Sequence, residues 1–174
     1  MNAHLILLIG LPGSGKSALA QQLATEYRHC QIVSVDALRA TLEDGSAQGH
    51  GHRLWRAIAQ QLQQAFHRLP EQRGTVIFDA TNVAFGTRRR VIRFARAAGF
   101  TQITGIWVDT PLWRCLQRNR QRTRTIPELT IWSMCCQLLV APPSPKEDVD
   151  HMVRYADFSN EIGSLIAWLR ALQL

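Results

Sequence analysis

The stretch Gly10-Leu11-Pro12-Gly13-Ser14-Gly15-Lys16-Ser17 constrains this 174-residue chain more than any other part of it. It follows the apolar residues 5–9 and precedes a run in which Leu19, Leu23 and Tyr27 recur at every fourth position. An apolar run closed by glycine reads as a strand buried on both faces, and the four-residue recurrence reads as a helix. The glycine-rich connection satisfies G-x-x-x-x-G-K-[ST] in the strand-then-helix context that this pattern requires. Glycines let backbone N–H groups turn toward anionic phosphates, and the following helix adds the partial positive charge of its N-terminus. Gly10, Pro12, Gly13, Ser14, Gly15, Lys16 and Ser17 are therefore expected to hold a nucleoside triphosphate, with Lys16 on its outer phosphates and the Ser17 hydroxyl on Mg2+.

The same alternation continues downstream. Residues 32–35 and 75–78 read as short buried strands ended by Asp36 and Asp79, and residues 103–108 read as a fourth strand before Asp109. Between them, helices are expected over residues 37–43, over 54–68 with Leu54, Ile58, Leu62 and Phe66 in one stripe, and over 86–98 with Val91, Ile92, Ala95 and Ala98 inward. A loop is expected at 44–52 and another across the prolines of 141–145. Further helices are expected from Pro127 and over 161–172. Strands alternating with helices predict a three-layer α/β fold with a central parallel sheet, helices on both faces and right-handed crossovers. At 174 residues the expectation is a single domain.

In open parallel sheets ligands sit beyond the carboxyl ends of the strands, which is where Asp36 and Asp79 fall. Asp36 is placed to take the proton of an attacking hydroxyl. Asp79 has the form of an acid that ligates Mg2+ directly or through water. An aspartate after a strand also serves as a helix cap, and that use stays open for each of them. Arg39, three residues past Asp36, shares its helix face and is placed to hold an acceptor phosphate.

Residues 114–126 form a basic segment in which Arg118, Arg120, Arg122 and Arg124 alternate with polar residues. It reads as a lid that brings at least one guanidinium against the transferred phosphate. Arg88, Arg89, Arg90, Arg93 and Arg96 read as a solvent-exposed stripe. His50 and His52 read as loop residues.

Net charge is +7, and residues 88–174 carry most of the excess. No apolar run approaches the roughly 20 residues of a membrane helix. Residues 5–9 lack a basic leader, and Cys30, Cys115, Cys135 and Cys136 show no Cys-x-x-Cys spacing, so the expected setting is the cytoplasm.

The sequence resembles the phage-type polynucleotide 5′-hydroxyl kinases and the AAA-like P-loop kinases related to them. The likeness rests on Gly10 to Ser17, Val35-Asp36-Ala37-Leu38-Arg39, Asp79-Ala80-Thr81-Asn82, Val108-Asp109-Thr110-Pro111 and Arg118-Asn119-Arg120-Gln121-Arg122. It implies a nucleoside-kinase-like P-loop fold and transfer of the γ-phosphate of ATP, with Mg2+, to a hydroxyl. Within it Lys16, Asp36, Arg39, Asp79 and Arg122 are the implied catalytic residues, Arg118 joins the nucleotide contacts, and Ser17 and Asp79 are the metal-side residues. The implied acceptor is a DNA or RNA 5′ end. Related scaffolds act on sugars, nucleotide sugars and antibiotics, and a regulatory ATPase is a third alternative.

Overall fold

The computed structural model describes residues 3–42, 50–72, 74–155 and 162–172. The first apolar run becomes β1 (Ala3–Ile9), buried along its whole length. The glycine-rich loop leads into α1 (Lys16–Glu26). Then come β2 (Cys30–Ser34), α2 (Val35–Leu42), α3 (His50–His67), β3 (Gly74–Asp79), α4 (Phe85–Ala98) and β4 (Gln102–Val108). The chain closes through α5 (Leu112–Arg120), α6 (Glu128–Val140), β5 (His151–Tyr155) and α7 (Ile162–Ala171).

The strands form one sheet in the order β2-β3-β1-β4-β5, and every neighbouring pair is parallel. Two cores follow from the pleat of β1. Leu5, Leu7 and Ile9 join one cluster with Ile58, Leu62, Phe66, Val91, Ile92 and Ala95 of α3 and α4. Ile6 and Leu8 join the other with Leu19, Leu23, Leu165 and Leu169 of α1 and α7. A strand flanked on both faces must be apolar at every position, which is why β1 shows no alternation. The expected three-layer α/β fold is the observed one.

The structure differs from expectation at several places. β5 went unread because it is a half-buried edge strand, so its sequence carries neither a continuous apolar run nor a clean alternation. His50 and His52 belong to α3 rather than to a loop. Residue 43, the end of the expected helix 37–43, and residues 44–49 of the expected loop lie outside the described residues, as does residue 161 at the expected start of the last helix.

Arg88 is the clearest departure. Rather than joining an exposed stripe, it is 0% exposed. It precedes Val91 and Ile92 by three and four residues, which puts it on the inward face of α4. Its Nε and Nη2 donate to Glu147 Oε2 and Oε1 at 2.6 and 2.8 Å. It also donates to the carbonyls of Val83 and Ala141 at 2.6 and 2.9 Å. Glu147 lies 59 residues away, past the proline loop, so local spacing could not reveal the pair. Arg89 and Arg93 do face solvent.

Candidate active site

The sheet brings the ends of β1, β2, β3 and β4 to one edge, and a cavity of about 470 Å3 lies there. Its lining includes Pro12, Gly13, Ser14, Gly15, Lys16 and Ser17 from the glycine-rich loop, together with Asp36, Arg39, Asp79, Arg118 and Arg122. Residues separated by more than 100 positions thus meet around one space. Gly10 is outside the lining; it anchors the loop, its N–H donating to Thr81 O at 2.9 Å.

Two glycines of the loop are there by necessity. Gly13 has φ 82°, and a Cβ on it would lie 2.5 Å from the carbonyl oxygen of Cys115. Gly15, at φ 98°, starts α1 from the left-handed region. Both conformations are strained for a residue with a Cβ. The close approach at Gly13 lets α5 pack directly on the loop. Around it, Arg118 Nη1 donates to Gly13 O at 3.3 Å and Thr110 Oγ1 donates to Ser14 O at 2.8 Å.

Lys16 is buried at the centre of this arrangement. Its Nζ donates to Leu11 O at 2.7 Å and to Ser14 Oγ at 3.3 Å. Burial pushes its ammonium pKa down from 10.5 to about 8, against the opposing pull of Asp79; the Arg122 guanidinium lowers it further. A buried cation is stabilised by an anion brought beside it.

Asp79 is the last residue of β3 and pairs in register with Ser34. Asp36 does not close β2 as the sequence implied; the strand ends at Ser34, and Asp36 lies in the first turn of α2. A carboxylate there is favoured by the helix N-terminus. Its side chain is 89% exposed, and Arg39, 55% exposed, donates to it at 3.4 Å across one turn. Both side chains are open to a second substrate.

The arginine-rich segment divides. Its first part is helix α5, held by the burial of Cys115 and Asn119 four residues apart. Asn119 ties the following turn, its Nδ2 donating to Ile126 O at 2.8 Å and its Oδ1 accepting from Ile126 N at 3.0 Å. This positions Arg118 and Arg122 in the cavity lining, which Arg120 and Arg124 do not join. Arg120 instead donates to Glu128 at 2.7 Å.

Ser17 and Asp79 both line the cavity beside Lys16, and a hydroxyl with a carboxylate is the hard-oxygen donor set that suits Mg2+. Among the described residues no group of three or more His, Cys, Asp or Glu side chains could hold a metal. A Mg2+ ion would therefore complete its shell with water and phosphate oxygens, its usual habit in phosphotransferases.

Sequence reasoning quoted Asn82 within the Asp79-Ala80-Thr81-Asn82 motif but missed its role. Asn82 is 1% exposed, sits at φ 49°, and its Nδ2 donates to Leu8 O at 2.7 Å, pinning the loop after β3 to β1. A left-handed asparagine after a strand was the available signal. It also missed Met134 and Ile126, which line the cavity from α6 and its approach; nothing in their local pattern marks them. No helix among the described residues is long and apolar enough to cross a membrane.

No curated protein matches the chain. Among solved structures it is similar to Chaetomium thermophilum Kti12 in complex with ADP-AlF3, at TM-score 0.68 and 18% identity over 98% of this chain and 99% of that one. It is similar to a gluconokinase from Sinorhizobium meliloti, at TM-score 0.63 and 16% identity over 98% and 93%. It also matches a chain of the Pnkp1/Rnl/Hen1 RNA repair complex, at TM-score 0.67 and 22% identity, covering 80% of this chain but 45% of that one. These likenesses establish a shared P-loop kinase-like fold. Residues 5–134 match the family described as AAA domain, and because that is well over half of the sequence, the chain belongs to it.

Proposed function

We propose that the protein is a Mg2+- and ATP-dependent phosphotransferase that moves the γ-phosphoryl group to an alcohol. The observation that carries this reading is one cavity lined by both the Lys16 loop and the Asp36/Arg39 pair. A nucleotide-binding switch needs the first; the second gives a hydroxyl its base.

In this reading the glycine-rich loop and Lys16 hold the donor phosphates, and Arg118 borders the loop from outside. Ser17 and Asp79 would hold Mg2+, which supplies charge neutralisation of the phosphate oxygens when bound. Asp36 takes the proton of the acceptor hydroxyl as its oxygen bonds to the γ-phosphorus. The bond from that phosphorus to the bridging oxygen breaks, and ADP leaves with the electron pair. Arg122 stabilises the charge spread over the transferred group, a contribution worth about 10^3- to 10^5-fold in rate where arginines act this way. Arg39 orients the acceptor beside the base.

Two acceptors suit different features. A polynucleotide 5′ end, implied by the sequence resemblance, suits the exposure of Asp36 and Arg39. The fold likeness to a chain of an RNA repair complex adds support. A compact alcohol suits a second, smaller cavity that shares Arg39, Ala80, Thr81 and Met134 with the first. The test is ADP release and label transfer from γ-labelled ATP. It is run with 5′-hydroxyl oligonucleotides in one arm and small alcohols in the other. Transfer to either class upholds the phosphotransferase reading. ATP hydrolysis that no acceptor of either class accelerates overturns it and leaves a regulatory ATPase.

A further inference from the structure

The second cavity encloses about 300 Å3 between α3, α4, α6 and the loop after β3. Its walls come from Leu54, Trp55, Ile58, Phe78, Val83 and Val91, with Thr81, Asn82, Thr87 and Gln137 as polar groups, and among the described residues Arg39 is the only charged one that lines it. Arg39 also lines the donor cavity, so the one cation stands where the two spaces meet.

Trp55 is a preformed platform. Arg90 covers its ring at 4.4 Å, and Phe94 meets it edge-on with centroids 6.2 Å apart. Such contacts fix an indole's orientation before a ligand arrives, which lowers the entropy lost on binding. The opposite wall is equally fixed, because Val83 O accepts from the buried Arg88 at 2.6 Å and Asn82 is bound to β1. A rigid apolar cavity of this size with a few polar groups is the usual form of a small-molecule site.

We propose that this cavity seats the body of the acceptor, and that the body is an uncharged ring, as in a neutral nucleoside or an aromatic alcohol. The proposal rests on the phosphotransferase reading above and names its substrate class. The ring packs against Trp55 and Leu54, Thr87 and Gln137 supply hydrogen bonds to its polar edge, and the reacting hydroxyl emerges past Arg39 toward Asp36. A sugar-phosphate backbone finds a single cation here and a wall that desolvates its charges without compensation.

The experiment uses the full chain with ATP and four probes: adenosine, 2-phenylethanol, glucose and a 5′-hydroxyl oligonucleotide. Thr87→Phe fills the cavity and Trp55→Ala removes the platform; both are checked for unchanged ADP affinity, which certifies the fold. Adenosine or 2-phenylethanol is expected to accept phosphate. Either substitution is expected to raise that acceptor's KM at least tenfold while the KM for ATP stays within twofold. Thr87→Val, which keeps the volume, is expected to change the acceptor KM less than Thr87→Phe. If the variants do not fold, quenching of tryptophan fluorescence by adenosine or 2-phenylethanol, present in the intact chain saturated with ADP, upholds the proposal and its absence overturns it. Transfer only to glucose or the oligonucleotide, with kinetics that ignore both substitutions, overturns the ring proposal while the phosphotransferase reading stands. Transfer to none of the four overturns the ring proposal too, and acceleration of ADP release by other alcohols then decides the phosphotransferase reading separately.

Discussion

Removing the Arg88 guanidinium with Arg88→Met deprives Glu147 of a bidentate partner in a place where the two side chains are 0% and 2% exposed. Glu147 keeps only the Ser144 N–H, which donates to its Oε1 at 3.1 Å. Breaking one side of a buried pair costs about 3–5 kcal/mol, because the remaining charge stays desolvated. The carbonyls of Val83 and Ala141 lose a donor as well, so the lower end of that range is a floor unless water enters. In a chain of this size each kcal/mol lowers Tm by about 2–4 °C, giving a loss of roughly 6–20 °C. Thermal and urea unfolding followed by circular dichroism measure it. The double variant Arg88→Met with Glu147→Leu is expected to lie well above the sum of the two single losses, since no buried charge is then left alone. A single-variant loss below about 1 kcal/mol, the value of an exposed pair, would refute the reasoning.

Two pH effects follow from other buried groups. Burial, aided by His151, lowers the His4 pKa to about 4, and its Nε2 lies 2.8 Å from Thr104 Oγ1. The unfolded chain protonates this imidazole near its ordinary value of 6.5. The stabilisation is therefore complete above about pH 6.5 and is lost as pH falls toward 4, by about 3 kcal/mol in all. His4→Gln, followed by urea unfolding between pH 4 and 7.5, is expected to flatten that slope; an unchanged slope assigns it to other groups. Lys16, with its pKa near 8, is partly neutral above that pH, and a bound polyphosphate raises its pKa again. Nucleotide binding at about pH 9 is expected to take up a proton, seen by calorimetry in buffers of different ionisation enthalpy. Lys16→Met is expected to abolish that uptake, and uptake persisting in this variant contradicts the assignment.

How much was legible in the sequence depended on how far apart the interacting residues lie. The glycine-rich loop, the inner strands β1, β3 and β4 and the stripe of Ile58, Leu62 and Phe66 are local patterns whose burial follows from period and composition, whereas β2, expected to be buried, is an edge strand with Ile32 exposed. Asp79 was legible as a residue of the cavity because a parallel sheet delivers strand ends to one edge, while Ile126 and Met134 were not. Arg88 was hidden because its spacing points inward while its chemistry points outward, and the partner that resolves the conflict is distant in sequence. The edge strand β5 carries a weak pattern because only part of it is buried. The alternating arginines alone did not separate Arg118 and Arg122 from Arg120; the family resemblance singled those two out, and the anchoring of Ile126 by Asn119 gives the physical reason that they line the cavity. Trp55 belongs to the helical stripe's neighbour position, and a sequence period cannot tell a core wall from a cavity wall.

The central claim is that Asp36 and Lys16 serve one transfer reaction from the two sides of one cavity. The most direct measurement compares Asp36→Asn with the unaltered protein for acceptor-dependent ADP release and for ADP affinity. Loss of a general base lowers kcat about 10^2- to 10^4-fold, and the account predicts that loss with ADP affinity changed by less than about threefold, since Asp36 takes no part in holding the donor. Turnover that survives the substitution at its original rate would contradict the account and leave a nucleotide-binding ATPase in its place.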